Sequence, residues 1–173
     1  MEKTLIIGNV VALLASLFMV YSGILKKKTQ ILIAQNIQII LLIISNIILG
    51  GISGAISNTA GLIRNLLYQK KWLKMPIKIA LTLISSIIAI KLNTEGIIGY
   101  LPLLANAVYI FLMDLKDIKK FKLLLIATMT MWLIYDTLIK SYTSATFDFA
   151  TIVANIVVLI KMQTNKDKII NEK

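Results

Sequence analysis

The 173-residue chain is 58% apolar and 16% charged, carries 19 Lys and Arg against 8 Asp and Glu, and lacks both His and Cys. A membrane-spanning helix uses roughly 20 residues, so seven would occupy about 140 and leave about 33 for all loops and ends, which excludes a fused soluble domain. The missing His and Cys exclude the usual zinc, haem and thiol chemistries and any Ser-His-Asp or Cys-His site.

Apolar runs between charges predict seven helices, near residues 4–25, 31–49, 52–68, 77–90, 97–113, 123–139 and 145–160. The first run follows Glu2 and Lys3, is about 20 residues long and stops at Lys26-Lys27-Lys28 without an Ala-x-Ala pattern. It reads as a retained helix and not a cleaved leader. On the second helix Gln35, Gln38, Ser45 and Asn46 fall within about a 100° arc. The third offers Asn58, Gly61 and Asn65 at helical spacing. The fourth has only Thr82, Ser85 and Ser86 in its centre, and it reads as a lipid-facing connector. The fifth carries Asn106 with Tyr109 one turn on, the sixth Thr128, Trp132, Tyr135 and Asp136, and the seventh Asp148, Thr151 and Asn155.

The charges give an orientation. With seven helices, 16 of the 19 basic residues fall on one side: Lys26 to Lys28, then Arg64 through Lys78, then Lys116 through Lys122, then Lys161 through Lys173. Lys3, Lys91 and Lys140 remain on the other. By the positive-inside rule the N-terminus is outside and the C-terminus cytoplasmic. The charge of +11 is thus a topology mark and an anionic-lipid contact on the cytoplasmic face. No basic groove interleaved with aromatics appears, so no nucleic-acid partner is expected.

The fourth helix separates two sets of three. A shift of 90 residues aligns Leu13-Leu14-Ala15 with Leu103-Leu104-Ala105, Ala55 with Ala145, Ala60 with Ala150 and Asn65 with Asn155. It also superposes Gln38 on Thr128, Ser45 on Tyr135, Asn46 on Asp136 and Ser16 on Asn106. The expected architecture is therefore an all-α membrane protein in a 3+1+3 arrangement of parallel three-helix repeats: residues 1–74, a linker helix at 75–93, and residues 94–173 with a short basic tail. A shift of 97, pairing Asn58 with Asn155 and Arg64 with Lys161, is the alternative for the third and seventh helices. It moves the depth and keeps the face.

In lipid a polar side chain needs a partner or a water-filled space. Two readings of the polar arcs stand side by side. Single Ser, Thr and amide side chains serve as helix–helix glue at around 0.6 kcal/mol each. Clustered on repeat-equivalent helices, the same residues line a polar cavity. Trp132 and Tyr135 fit either that cavity or an interfacial aromatic belt. Asp148 is expected near the outer surface and solvated, and Glu95, Asp114 and Asp117 read as loop charges.

These residues carry a family likeness. Residues 54–65, Gly-Ala-Ile-Ser-Asn-Thr-Ala-Gly-Leu-Ile-Arg-Asn, resemble the third helix of YgjV-type bacterial inner-membrane proteins. Leu101 to Asn106, Trp132 to Asp136 with Ser141, Asn155-Ile156-Val157 and Lys161-Met162-Gln163 are similar too, so the likeness covers roughly residues 5 to 163. The layout resembles the wider SWEET/PQ-loop superfamily of sugar facilitators and PnuC-type vitamin transporters. That resemblance implies an Asn from each of the third and seventh helices flanking a central substrate, with Asn155 matching on the seventh and Asn58 or Asn65 on the third. It also implies that Trp132 closes on substrate. The chain departs from that pattern in having no Pro-Gln pair, and among the hinge prolines of SWEETs only Pro102 has a match.

The expected function is passage of a small polar solute such as a sugar, nucleoside or vitamin through the inner membrane by alternating access. The binding residues expected are Gln38, Asn46, Asn58, Asn65, Asn106, Trp132, Tyr135, Asp136 and Asn155, with no cofactor and no metal. Amides hydrogen-bond such a ligand and a ring stacks on it. The other reading is a non-transporting scaffold or accessory subunit, and assembly into a homo-oligomer is open. No catalysis is expected: an intramembrane enzyme would need a nucleophile–base pair or a metal cluster, neither of which is visible, and Asp136 and Asp148 form an acid pair only if the sixth and seventh helices bring them together.

Overall fold

The computed structural model describes residues 2–24, 28–115 and 117–171. Within them the chain forms α1 (Glu2–Ile24), α2 (Lys28–Leu49), α3 (Ile52–Gln69), α4 (Met75–Leu92), a 3-10 turn (Gly96–Gly99), α5 (Tyr100–Leu112), α6 (Ile118–Leu138) and α7 (Tyr142–Asn171). Four of these helices contain segments long and apolar enough to cross a membrane: Glu2–Tyr21, Met75–Leu92, Lys119–Leu138 and Tyr142–Thr164.

The helices run further than the apolar runs suggest. α6 starts at Ile118 and not near 123, because the Asp117 carboxylate accepts from the N–H groups of Lys119 (2.8 Å) and Lys120 (3.2 Å) and caps the first turn. α7 continues past residue 160 because no Gly or Pro interrupts Lys161 to Asn171. α4 opens at Met75 with Pro76 in its first turn, where a missing N–H costs nothing. Basic residues are poor markers of helix ends because a long aliphatic stem lets the helix continue into the interface. Of the basic residues assigned to the cytoplasmic side, Lys26, Lys27, Lys116 and Lys173 lie outside the described residues, as do the side chains of Lys28, Lys166 and Lys168.

Packing reverses the soluble pattern. The fully buried apolar positions are mostly alanines, among them Ala12, Ala15, Ala60 and Ala105. They share the interior with Ser16, Ser45, Asn46, Ser57, Thr128 and Asp136. The large aliphatics of α1 and α4 point outward, as at Ile6, Leu17, Leu83 and Ile87. Small interior residues let backbones approach, and outward Leu and Ile suit lipid. Six of the helices close a ring in the packing order α1, α2, α3, α5, α6, α7 and back to α1. α4 lies against α3 and α5. Its Thr82 and Ser85 hydroxyls donate to their own backbone, at Lys78 O (2.8 Å) and Thr82 O (3.1 Å). Lys78, assigned to the cytoplasmic side at the start of the fourth helix, is buried and pairs with Asp114 after α5.

The turns joining α2 to α3 and α6 to α7 share one hydrogen-bond pattern. Gly50 N donates to Ile47 O and Gly51 N to Asn46 O; Lys140 N donates to Thr137 O and Ser141 N to Asp136 O. Both are Schellman ends, with Gly50 at φ +80° and Lys140 at φ +63° in the left-handed position. Every one of these atoms has its counterpart 90 residues on. The following helices are capped across the molecule. Ser53 N, at the start of α3, donates to Glu95 Oε1 (3.0 Å), and Thr143 N, at the start of α7, donates to Asn9 Oδ1 (3.0 Å). Asn9 Nδ2 also donates to Lys140 O (3.0 Å), fastening α1 to the second turn.

Candidate functional site

The six helices in the closed order surround a cavity of about 380 Å³. Ten pairs of its lining residues are 90 positions apart in the chain. Ser16/Asn106 and Met19/Tyr109 come from α1 and α5. Gln35/Leu125, Gln38/Thr128, Ile39/Met129, Leu42/Trp132 and Asn46/Asp136 come from α2 and α6. Ser57/Phe147, Asn58/Asp148 and Gly61/Thr151 come from α3 and α7. Among the described residues, Arg64, Asn65, Ala105 and Ser144 line the cavity without a lining counterpart at that spacing. On α3 and α7 the lining thus follows a spacing of 90; the spacing of 97 would place Asn155, which is not in the lining, opposite Asn58.

Gln38, Asn46, Asn58, Asn65, Asn106, Trp132 and Asp136 come together on this wall. Asn58 Nδ2 and Ser57 Oγ are shut off from solvent with no protein partner, so both have unmet hydrogen-bonding capacity at the cavity. Trp132 stands edge-on to Tyr135, with ring centroids 5.9 Å apart. Two of the expected residues lie elsewhere. Tyr135 is fully buried behind Trp132, where its hydroxyl accepts from Gly54 N (2.8 Å) and ties α6 to the start of α3. Asn155 Oδ1 accepts from Lys122 Nζ (3.2 Å), while its Nδ2 donates to Thr151 O (2.8 Å). Its amide is occupied by its own end of the bundle.

Two charged groups join the site that sequence reasoning assigned elsewhere. Arg64, expected as the basic end of the third helix on the cytoplasmic side, lines the cavity from α3. Its Nε and Nη2 donate to Asn65 Oδ1 (3.3 and 3.1 Å), and Nη1 donates to Asn106 Oδ1 (3.1 Å). The guanidinium carbon sits 4.6 Å from the Tyr109 ring centroid, a cation–π distance. Asn65 Nδ2 is held in turn by Asn36 Oδ1 (3.3 Å). Every partner of the guanidinium is neutral. One signal was available: Arg64 follows Gly61 by three residues on the same helical face, and an intramembrane Arg is functional by default.

Asp148, expected to be solvated, is instead half-buried in the cavity wall. The α6–α7 turn brings its carboxyl within hydrogen-bonding reach of Asp136. Its Oδ2 is sealed from solvent, with no nitrogen or hydroxyl donor reaching it. Two carboxyls this close repel unless a proton or a cationic group lies between them. What the cavity offers is therefore amide, hydroxyl, one indole face, a carboxyl pair and a guanidinium, a set suited to binding a polar molecule.

Residues 6–166 match the family model Imp-YgjV, whose description is bacterial inner membrane protein. No curated protein and no solved structure matches the chain. With nearly its whole length matched and helices apolar enough to cross a bilayer, the chain belongs to the Imp-YgjV family of bacterial inner membrane proteins.

Proposed function

We propose that this protein is a facilitator-like transporter that moves a small polar solute across the bacterial inner membrane by alternating access around the central cavity. The observation that carries the reading is the cavity's composition from ten pairs of residues 90 apart. Pairs at one spacing favour two parallel repeats, residues 1–74 and 94–173, joined by the helix of residues 75–93. The matching Schellman turns and reciprocal caps support the same division. A site between two like halves can open to either side as one half rocks against the other, the logic of repeat-built transporters. The likeness to the SWEET/PQ-loop layout supports this mechanism, and the one-sided basic residues support an outside N-terminus and a cytoplasmic C-terminus.

Gln38, Asn46, Asn58, Asn65 and Asn106 supply hydrogen bonds to the solute, and Trp132 supplies a stacking face. The test is uptake by proteoliposomes from a panel of sugars, nucleosides, vitamins and amino-acid-like solutes. Uptake of one class is expected, with Asn58→Ala or Trp132→Ala weakening it roughly tenfold. No uptake from the whole panel, together with a stoichiometric co-purifying protein, would replace transport by the scaffold reading.

A further inference from the structure

The two halves of the cavity repeat in shape and differ in charge. At two of the ten paired positions the first half has an amide where the second has the carboxyl of nearly the same shape: Asn46 against Asp136, and Asn58 against Asp148. The single cation of the lining, Arg64, has Ala154 at its equivalent position. A wall that only needed to be polar could have stayed uniform, as Asn and Asp fill the same space. Here the carboxyls of the lining are confined to α6 and α7 and its guanidinium to α3.

Among the described residues neither the guanidinium nor the carboxyl pair has an oppositely charged partner. Among the described residues the ion pair recorded joins Lys78 to Asp114, outside the cavity lining. Arg64 has five N–H groups. Three are engaged by Asn65 and Asn106, which leaves one on each terminal nitrogen. Those two N–H groups match the two oxygens of a carboxylate or phosphate. On the other side, Asp136 and Asp148 converge with no cation between them.

The two centres also sit at different depths. α3 and α7 both start at the end of the bundle where Ser53 and Thr143 are capped. Asp148 lies six residues from the start of α7 and Arg64 twelve from the start of α3, about 9 Å and about 18 Å along the axes. This difference of about 9 Å in backbone depth places the two centres at separate levels of the cavity, an arrangement suited to a molecule whose charged groups are several bonds apart.

We infer that the cavity binds a small zwitterion lengthwise, its cationic group between Asp136 and Asp148, its anionic group on Arg64, and its middle against Asn58 and Trp132. This rests on the transporter reading for the site and names its ligand class. An aminoalkyl carboxylate and an aminoalkyl phosphate share this chemistry, and the second includes a phosphoethanolamine lipid headgroup.

The test is ligand-dependent thermal stabilisation of the purified full-length protein in detergent. The probes are 6-aminohexanoate, dihexanoyl phosphatidylethanolamine, hexanoate, hexylamine and glucose. Stabilisation by 6-aminohexanoate points to a soluble zwitterion, and stabilisation by the lipid alone to a headgroup. In either case the singly charged probes should bind roughly 10- to 100-fold more weakly. Arg64→Gln should abolish the preference over hexylamine, and Asp136→Asn the preference over hexanoate. Arg64→Lys, which keeps the charge and loses the fork, should retain part of it, guarding against a variant that fails to fold. Equal stabilisation by glucose, or preferences unchanged in these variants, would overturn the zwitterion. Uptake of glucose or thymidine by proteoliposomes with no zwitterion response would also overturn it and leave transport standing. Zwitterion binding without any uptake would keep the ligand and remove transport.

Discussion

Helices α1–α3 and α5–α7 present the same cavity face at a spacing of 90 residues, but they fill the space behind it differently. In the second segment Tyr135 stands behind the wall and bonds Gly54 N on α3; at the equivalent place in the first stands Ser45, whose hydroxyl donates to Gly8 O on α1 (2.8 Å). One segment thus reaches across the molecule where the other closes on itself. The lesson is that backbone geometry repeats where the turns fix it, and chemistry diverges wherever a side chain looks into space both segments share. The charges of the cavity diverge in the same way.

The largest expected effect comes from breaking the cross-contact. A Cβ at Gly54 would lie 2.6 Å from Tyr135 Cε1, 2.8 Å from its hydroxyl and 3.0 Å from Asn46 Nδ2. All three belong to buried side chains. Gly54→Ala should cost about 1–3 kcal/mol in thermal unfolding measured in detergent. The equivalent residue, Ser144, only exchanges a hydroxyl bond with Ser141 (3.0 Å), so Ser144→Ala should cost about 1 kcal/mol or less. Combined with Tyr135→Ser, Gly54→Ala should cost less than it does alone, so that the double variant loses less than the sum of the two single losses. Equal effects at Gly54 and Ser144 would show that the two segments are more alike than their packing implies.

The turns allow a second comparison. Gly50 and Lys140 hold the same left-handed position at φ +80° and +63°. Only glycine does so without Cβ strain, which for other residues amounts to about 1–2 kcal/mol. Gly50→Ala should therefore destabilise by about 1–2 kcal/mol, and Lys140→Gly should stabilise by a comparable or smaller amount. Two melting curves decide it, and the signs must be opposite.

The carboxyl pair gives a third. Asp136→Asn converts one position to the residue of the first segment and removes one of two converging carboxyls. The variant should melt about 2–4 °C higher, roughly 1 kcal/mol, while losing zwitterion preference. A lower melting temperature would mean that the pair holds the fold together and does not serve a ligand.

Much of this arrangement was legible in the residues. Seven apolar runs located seven helices, and the polar arcs on the second and sixth named Gln38, Asn46, Thr128, Trp132 and Asp136, all of which line the cavity. What escaped did so for physical reasons. Arg64 was read as an edge charge because basic residues mark loops only when nothing inside can hold them. Beside the adjacent Asn65, its holders are Asn106 and Tyr109, which lie on another helix more than 40 residues away. Asp148 was placed at the surface by its distance from a helix end, whereas the α6–α7 turn folds it back against Asp136. Asn155 lies on a plausible face but two turns deeper than Asn58's counterpart, where Lys122 takes its oxygen. Depth is the coordinate that helical periodicity leaves open.

The smallest expected effect lies outside the membrane-spanning segment, at the start of α6. The backbone N–H groups of Lys120 and Lys119 hold the Asp117 carboxylate below the usual aspartate range by bonding its charged form. Because the folded value is depressed, the cap contributes fully at pH above the unfolded value of about 3.9, and its contribution falls away as pH drops through the lower, folded value. The stability gap between the natural protein and Asp117→Ala should therefore be constant from about pH 7 to about pH 5 and shrink below that as the carboxylate is protonated. Ninety residues earlier the sequence has Lys27, outside the described residues, and a lysine has no acceptor to offer a helix start. An acid-sensitive start is thus a property of the second segment, and introducing Asp at position 27 should add a second acid-dependent increment if the equivalence of the segments extends to their basic ends.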